Sequence, residues 1–316
     1  MTRHRVTLLF AAVALTAALI GRSSADPLPD EILKFQQLPL NNGNNNGVYP
    51  NFGQSAPFPG HDEWSTAVLQ SPGVYVGPAM VDDFADNVTS DIVHVEWWGS
   101  YQNNAPGSGV QQFMIAFEND QPQDANNPFS HPTFPGVGQL VNRGALTPGS
   151  GTFTETALPV ADWNGSPDGV LYHYNAELSL PFHENAGQVY WLKIVALTNP
   201  TDTFTWGWHD RDYGMTNNLF APVLPGERDI SGGNLPGPVW HFQDDALSAA
   251  VTVNLNNGTF QQTNYQPQVY NTYDGYAAGL SKDLAFGLYY VPEPSSFVLG
   301  ALGILGLLVA RRKRSA

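Results

Sequence analysis

From Val170 to Leu180 the chain alternates residue by residue. Tyr172, Tyr174, Ala176, Leu178 and Leu180 fall on one face, and His173, Asn175, Glu177 and Ser179 on the other. The stretch IVHVEWW at residues 92–98 has the same period, with Val93, Val95 and Trp97 on one side and Ile92, His94, Glu96 and Trp98 on the opposite one. Phe204, Trp206 and Trp208 share a face in a third segment. Residues 188–197, QVYWLKIVAL, are apolar on both faces, as a central strand must be. Further strands are expected at residues 111–117, 239–242, 247–255 and 284–291. No long amphipathic helix interrupts this pattern between residues 26 and 290. With 31 glycines and 25 prolines to make turns, the pattern predicts an all-β domain of about eight to ten short strands, a β-sandwich or jelly roll.

The two ends do not belong to that pattern. Arg3 and Arg5 precede an apolar run, VTLLFAAVALTAALI, and the small residues Ser23 and Ala25 follow it. This is the layout of a secretory signal peptide over residues 1–25, with signal peptidase expected to cut before Asp26. At the other end, Pro292-Glu293-Pro294 is followed by an uncharged helix-length run at 296–310 and then Arg311, Arg312, Lys313 and Arg314. The run is short for a membrane span but can cross if its basic end snorkels. The four cations should remain cytoplasmic and leave the body of the protein on the far side. Two prolines keep the motif extended, outside the helix, where a membrane peptidase can grip it.

This three-part tail at residues 291–316 resembles the PEP-CTERM sorting signal. The resemblance implies recognition and cleavage by an exosortase near Pro292, Glu293 and Pro294. It also implies an exported protein of a Gram-negative cell, of a kind often produced together with exopolysaccharide in biofilms. A second resemblance covers roughly residues 60–255. VDDF at 81–84, VHVEWWGSY at 93–101, VYWLKIVAL, TWGWHD and VWHFQDDA at 239–246 are similar to a family of secreted bacterial β domains of unknown function, many of which carry such tails. It implies a fold and no catalytic residues.

Residues 26–60, with NNGNNNG at 41–47 and several prolines, read as a loose arm. The ectodomain is then 61–290, with 254–283 either an excursion from the sandwich or a stalk. The chain has no cysteine, which excludes disulfides, thiol nucleophiles and cysteine-ligated metals. Between the two ends only six Lys and Arg stand against 27 Asp and Glu, a net of −21. Such a field repels nucleic acid and anionic polymers and favours neutral or cationic partners and divalent cations.

No nucleophile elbow, zinc-protease helix, phosphate loop or EF-hand is present. Asp82 and Asp83 offer hard oxygens of the kind calcium takes, with Asp86 and Asp91 nearby, or they cap a strand end. Asp244-Asp245 is a second such pair. His61-Asp62-Glu63 reads as a surface turn, and His209-Asp210-Arg211-Asp212 as a charged loop. Trp97, Trp98, Trp206, Trp208 and Trp240 are candidates to stack on sugar rings, although alternation assigns at least half of them to the core. The expected function is therefore that of an exported surface or matrix protein, structural or adhesive within an exopolysaccharide layer, and not an enzyme. A carbohydrate-binding module is the first alternative. The second is a secreted glycan hydrolase using two carboxylates across a cleft.

Overall fold

The computed structural model describes residues 27–39, 62–86, 88–102, 109–122, 129–133, 137–158, 170–216, 246–268 and 282–292. These contain sixteen strands and no helix: β1 Ile32–Pro39, β2 Asp62–Trp64, β3 Thr66–Ser71, β4 Val74–Phe84, β5 Ser90–Gln102, β6 Gln112–Gln121, β7 His131–Pro132, β8 Val137–Arg143, β9 Thr152–Leu158, β10 Leu171–Glu184, β11 Tyr190–Thr198, β12 Thr205–His209, β13 Arg211–Thr216, β14 Leu247–Asn254, β15 Thr259–Pro267 and β16 Phe286–Tyr290. The expected all-β class holds. The signal segment and the run at 296–310 lie outside the described residues, as do Glu293, Pro294 and the basic end. Among the described residues no helix is long and apolar enough to cross a membrane.

One hydrogen-bonded path runs β13-β1-β16-β5-β10-β9-β8-β6-β11-β3-β4-β14-β15. The sheet folds over so that its two halves enclose a core. Val95, Trp97, Tyr174, Ala176, Phe286 and Leu288 line one wall, and Met80, Phe84, Phe113, Ile115, Phe117, Leu192 and Ile194 the other. Rings bridge the walls: Trp97 meets Phe113 edge-on at 5.2 Å, and Phe84 meets Phe286 at 6.2 Å. The far wall has a second apolar layer. Met114, Ala116 and Val195 pack there under Val251, Val253 and Phe260 of the β14–β15 hairpin. Gly138 has no side chain because the Phe260 ring occupies that space; a Cβ there would approach the ring to 2.3 Å. Residues 254–267 are thus part of a hairpin and not a stalk.

β11 is buried along its whole length, as its two apolar faces require. It carries Lys193, which reaches Glu118 of β6 at 2.9 Å with both side chains fully enclosed. The alternation of β10 and β5 is interrupted at two places. An irregularity between Glu177 and Phe182 turns Leu180 outward, 58% exposed. A shift beside Val93 brings Ile92 into the core and leaves Val93 half-buried. Bulges of this kind reverse the faces beyond them.

The arm is shorter than its composition implies. Residues 32–39 form β1, which pairs antiparallel with β16 and sends Phe35 into the core. Lys34 fixes it. Its Nζ lies 2.6 Å from Glu184 and 3.1 Å from Asp86, and all three side chains are fully buried. It also donates to Ser90 Oγ at 2.8 Å and to the Val88 carbonyl at 3.2 Å. One ammonium neutralises one carboxylate, so the second must hold a proton. Burial accordingly raises Glu184 to about 8, with the charge of Asp86 adding to it and Lys34 opposing it. Burial also raises Asp86, against the pull of Lys34. The folded state therefore binds protons that the unfolded chain has released, and stability is lost as pH rises through that interval. Between pH 5 and pH 8 the midpoint of urea unfolding should fall, and Glu184→Gln should flatten the slope. A midpoint that rises over this range would contradict the assignment.

Candidate functional site

Strand pairing places two rows of polar side chains side by side on the outer face of the near wall. His94 opposes Glu177, Glu96 opposes Asn175, and Trp98 opposes His173. These are the residues the alternation sends away from the core, yet all but the half-buried His173 are buried: His94 and Asn175 are fully enclosed. Part of the cover is the turn at Leu28–Glu31. The Glu31 amide donates to the Leu28 carbonyl at 3.0 Å, and the Leu28 amide donates back to the Glu31 carboxylate at 2.8 Å. Pro29 suits the second position of such a turn. Glu31 then drops its carboxylate 3.3 Å from His94 Nδ1, while Glu177 approaches the same nitrogen at 2.8 Å. His94 Nε2 is 3.0 Å from Asn175 Oδ1. The Tyr289 ring lies edge-on to the imidazole at 5.1 Å.

Burial pushes Glu31 up to about 7, although His94 draws it down. Burial alone would lower His94; Glu177 and Glu31 outweigh it and raise the imidazole. One pair along the row behaves in the opposite sense. Burial opposes ionisation of Glu96, but contacts from His173, Tyr289 and Gln36 hold it below the usual carboxylate range. His173 Nε2 is 3.0 Å from one Glu96 oxygen, and Gln36 donates to the other at 2.7 Å. His173 stacks flat on Trp98 at 4.7 Å. Gly287, opposite Glu96, leaves the space its carboxylate fills.

The second feature is Trp64. At 55% exposure it is the only exposed large aromatic among the described residues whose burial is defined. Asp62 and Glu63, expected in a surface turn, belong instead to β2, paired with β12; His61 lies outside the described residues. Asp62 accepts from Ser100 at 2.5 Å and contacts His209 Nδ1 at 2.9 Å. Trp64 borders two hollows. One of about 420 Å³ is lined by Asp62, Glu63, Ser248 and Lys282. The other, of about 380 Å³, is lined by Asn199, Asp202, Thr203 and Thr205. Indole beside hydroxyl, amide and carboxylate groups is the surface a sugar ring requires.

The tryptophans expected to stack on sugars are otherwise engaged. Trp97, Trp206 and Trp208 are fully buried and Trp98 is 5% exposed; Trp240 lies outside the described residues. Asp82 and Asp83 are not brought together. They are neighbours inside β4, and a strand sends neighbours to opposite faces. Asp82 accepts the amides of Leu284 at 2.7 Å and Asp83 at 3.0 Å. Burial, and next the charge of Asp283, holds it well above the usual carboxylate range. Asp91 is exposed and paired with His183. His209, Asp210 and Arg211 are not a surface loop: they are buried, and Arg211 pairs with Asp283 at 2.7 Å. Asp244 and Asp245 lie outside the described residues.

Charge accounting completes the surface. Every cation of the body that the structure describes is in an ion pair: Lys34, Lys193, Arg211 and Lys282 with buried or half-buried acids, and Arg143 with Glu155 at 2.9 Å. No strand in the described region presents an unpaired Lys or Arg to an anionic polymer.

Residues 291–314 match the PEP-CTERM protein-sorting motif. The motif marks the chain as an exosortase substrate, exported and sorted at its C-terminus to the cell surface. No curated protein and no solved structure matches the chain. Residues 34–225, more than half of the chain and including most of the strands described above, match the family model described as Domain of unknown function (DUF7901), and the chain belongs to that family.

Proposed function

We propose that the exported domain is a structural or adhesive component of an exopolysaccharide layer, and that it holds neutral glycan through Trp64. The observation that carries this reading is an indole left more than half exposed between two hollows of mixed polar and apolar lining, in a chain that buries its other described tryptophans. Stacking supplies sequence-tolerant affinity, and side chains such as Asn199, Asp202 and Ser248 orient the hydroxyls. The acidic body, with its described cations already paired, favours neutral polymers over uronate or phosphate-bearing ones. On this reading the domain binds and does not catalyse. Signal peptidase frees the N-terminus before Asp26. The run at 296–310 with Arg311, Arg312, Lys313 and Arg314 holds the chain in the membrane until the exosortase acts at Pro292–Pro294.

Affinity electrophoresis through gels containing a neutral glucan, a neutral galactan or an anionic uronate polymer tests the binding step. At least one neutral polymer should retard the protein, the uronate should not, and Trp64→Ala should lose at least about tenfold in affinity, the equivalent of one stacked ring. Equal retardation of Trp64→Ala and the parent, at unchanged unfolding midpoint, would remove Trp64 from the binding surface.

A further inference from the structure

We infer that Glu31, His94 and Glu177 form a binding site for a divalent first-row metal ion, with zinc the ion best suited to the donor set. The three ligand atoms lie within 4.8 Å of one another, close enough to share one ion. The site is closed: the side chains of Glu31, His94 and Glu177 are 2%, 0% and 1% exposed. One imidazole nitrogen with two carboxylates, each able to give one or two oxygens, suits zinc, and manganese next.

Two features of the cluster suit a cation there. The first is the orientation of the imidazole. His94 Nε2 is directed at Asn175 Oδ1, 3.0 Å away. A ligating histidine characteristically donates its remote N–H to a fixed carbonyl or carboxylate, which frees the other nitrogen for the metal. Here that leaves Nδ1 facing Glu31 and Glu177, so that three acceptors converge on one point. The second is charge. Two carboxylates are enclosed, and no Lys or Arg of the described residues reaches them: Lys34, Arg143, Lys193, Arg211 and Lys282 are paired elsewhere. Either protons held on His94 and Glu31 or a divalent ion beside a neutral imidazole brings the cluster to zero, as buried charge requires.

The ion would also fasten the turn at Leu28–Glu31 to β5 and β10, across 63 and 146 residues of sequence from Glu31 to His94 and Glu177. In a chain without cysteine this is the role a disulfide would otherwise take at the start of the exported body. This inference stands apart from the glycan reading, because the two sites share no residue.

The test uses the exported protein, purified without chelator, then stripped with EDTA. Metal content before stripping should be about one ion per chain, as a single site requires. Adding zinc to the stripped protein should raise its unfolding midpoint by several degrees, as binding to the folded state alone requires. Glu31→Gln keeps the turn and the fold and should lower zinc affinity at least tenfold; Glu177→Gln should do the same. Manganese and calcium, tested in parallel, should bind more weakly than zinc. No bound metal together with no shift from any of the three ions would overturn the proposal and leave a proton-sharing triad. Zinc binding that is undiminished in both variants would place the metal on other histidines and overturn it equally.

Discussion

Lys34→Met should destabilise the domain by about 3–5 kcal/mol, the range for removing one partner of a buried ion pair. The lysine is fully enclosed between Glu184 and Asp86 and also satisfies Ser90 and the Val88 carbonyl. Methionine fills the volume but cannot compensate the remaining carboxylate, which must then be protonated or hydrated at a cost. Most of the loss is thus the penalty of an uncompensated acid and not the worth of the contact itself. The second half of the prediction follows. Lys34→Met combined with Asp86→Asn and Glu184→Gln should recover more than half of the loss, because the charge has gone from both sides. Urea unfolding of the three proteins measures this. A loss below about 1 kcal/mol for the single variant would place the cluster in water-like surroundings, where pairs of this kind contribute little.

The other large effect is expected at Trp97. Its indole stacks on Tyr174 at 5.2 Å with the planes 6° apart and meets Phe113 edge-on at 5.2 Å. Truncation to alanine leaves a cavity between the two walls and should cost about 3–5 kcal/mol. Trp97→Phe should be far milder. The Nε1–H of Trp97 is buried without an acceptor, so the smaller ring removes an unsatisfied donor as well as some volume. Trp208 offers the contrast. Its Nε1 donates to the Ala285 carbonyl at 2.8 Å, and Trp208→Phe leaves that carbonyl without its partner. Of the two phenylalanine variants, Trp208→Phe should therefore have the lower unfolding midpoint. The reverse order would mean that volume, not hydrogen bonding, decides at both positions.

The alternation of apolar residues was enough to assign the class and the inner faces of β10, β11 and β12, because burial on one side of a strand imposes a period of two. It failed where the backbone departs from that period. Nothing in IVHV marks the shift that turns Ile92 inward, and nothing in ELSLPF marks the one that exposes Leu180. The arm was misjudged for a related reason. β1 reads ILKFQQLP, and its buried residues include Lys34 and Gln37. Polar residues at interior positions look like solvent-facing ones until their partners are known, and those partners lie 52 and 150 positions away at Asp86 and Glu184.

The candidate sites were legible in part. Period two already put His94, Glu96, His173, Asn175 and Glu177 on the outward faces of two strands. Outward rows rich in His and Glu instead of Thr, Ser and Lys were the available signal. That β5 and β10 are neighbours, in the register that opposes His94 to Glu177, depends on long-range pairing that one sequence does not display. Glu31 arrives from another part of the chain altogether. Asp82 and Asp83 illustrate the converse. Two adjacent acids suggest shared ligation, yet the strand that contains them separates their side chains, and the alternation itself carried that information. Trp64 was passed over because its neighbours are polar, although an aromatic ring set among polar residues is how an exposed platform differs from a core residue.

The most direct test of the account is made in the producing cell. The parent chain and Trp64→Ala are expressed at equal level, and each is quantified in the polymer layer and in the surrounding medium. The account predicts that the parent is retained with the polymer and that Trp64→Ala, folded and processed at the Pro292–Pro294 motif like the parent, is released to the medium. Equal retention of the two proteins would contradict it.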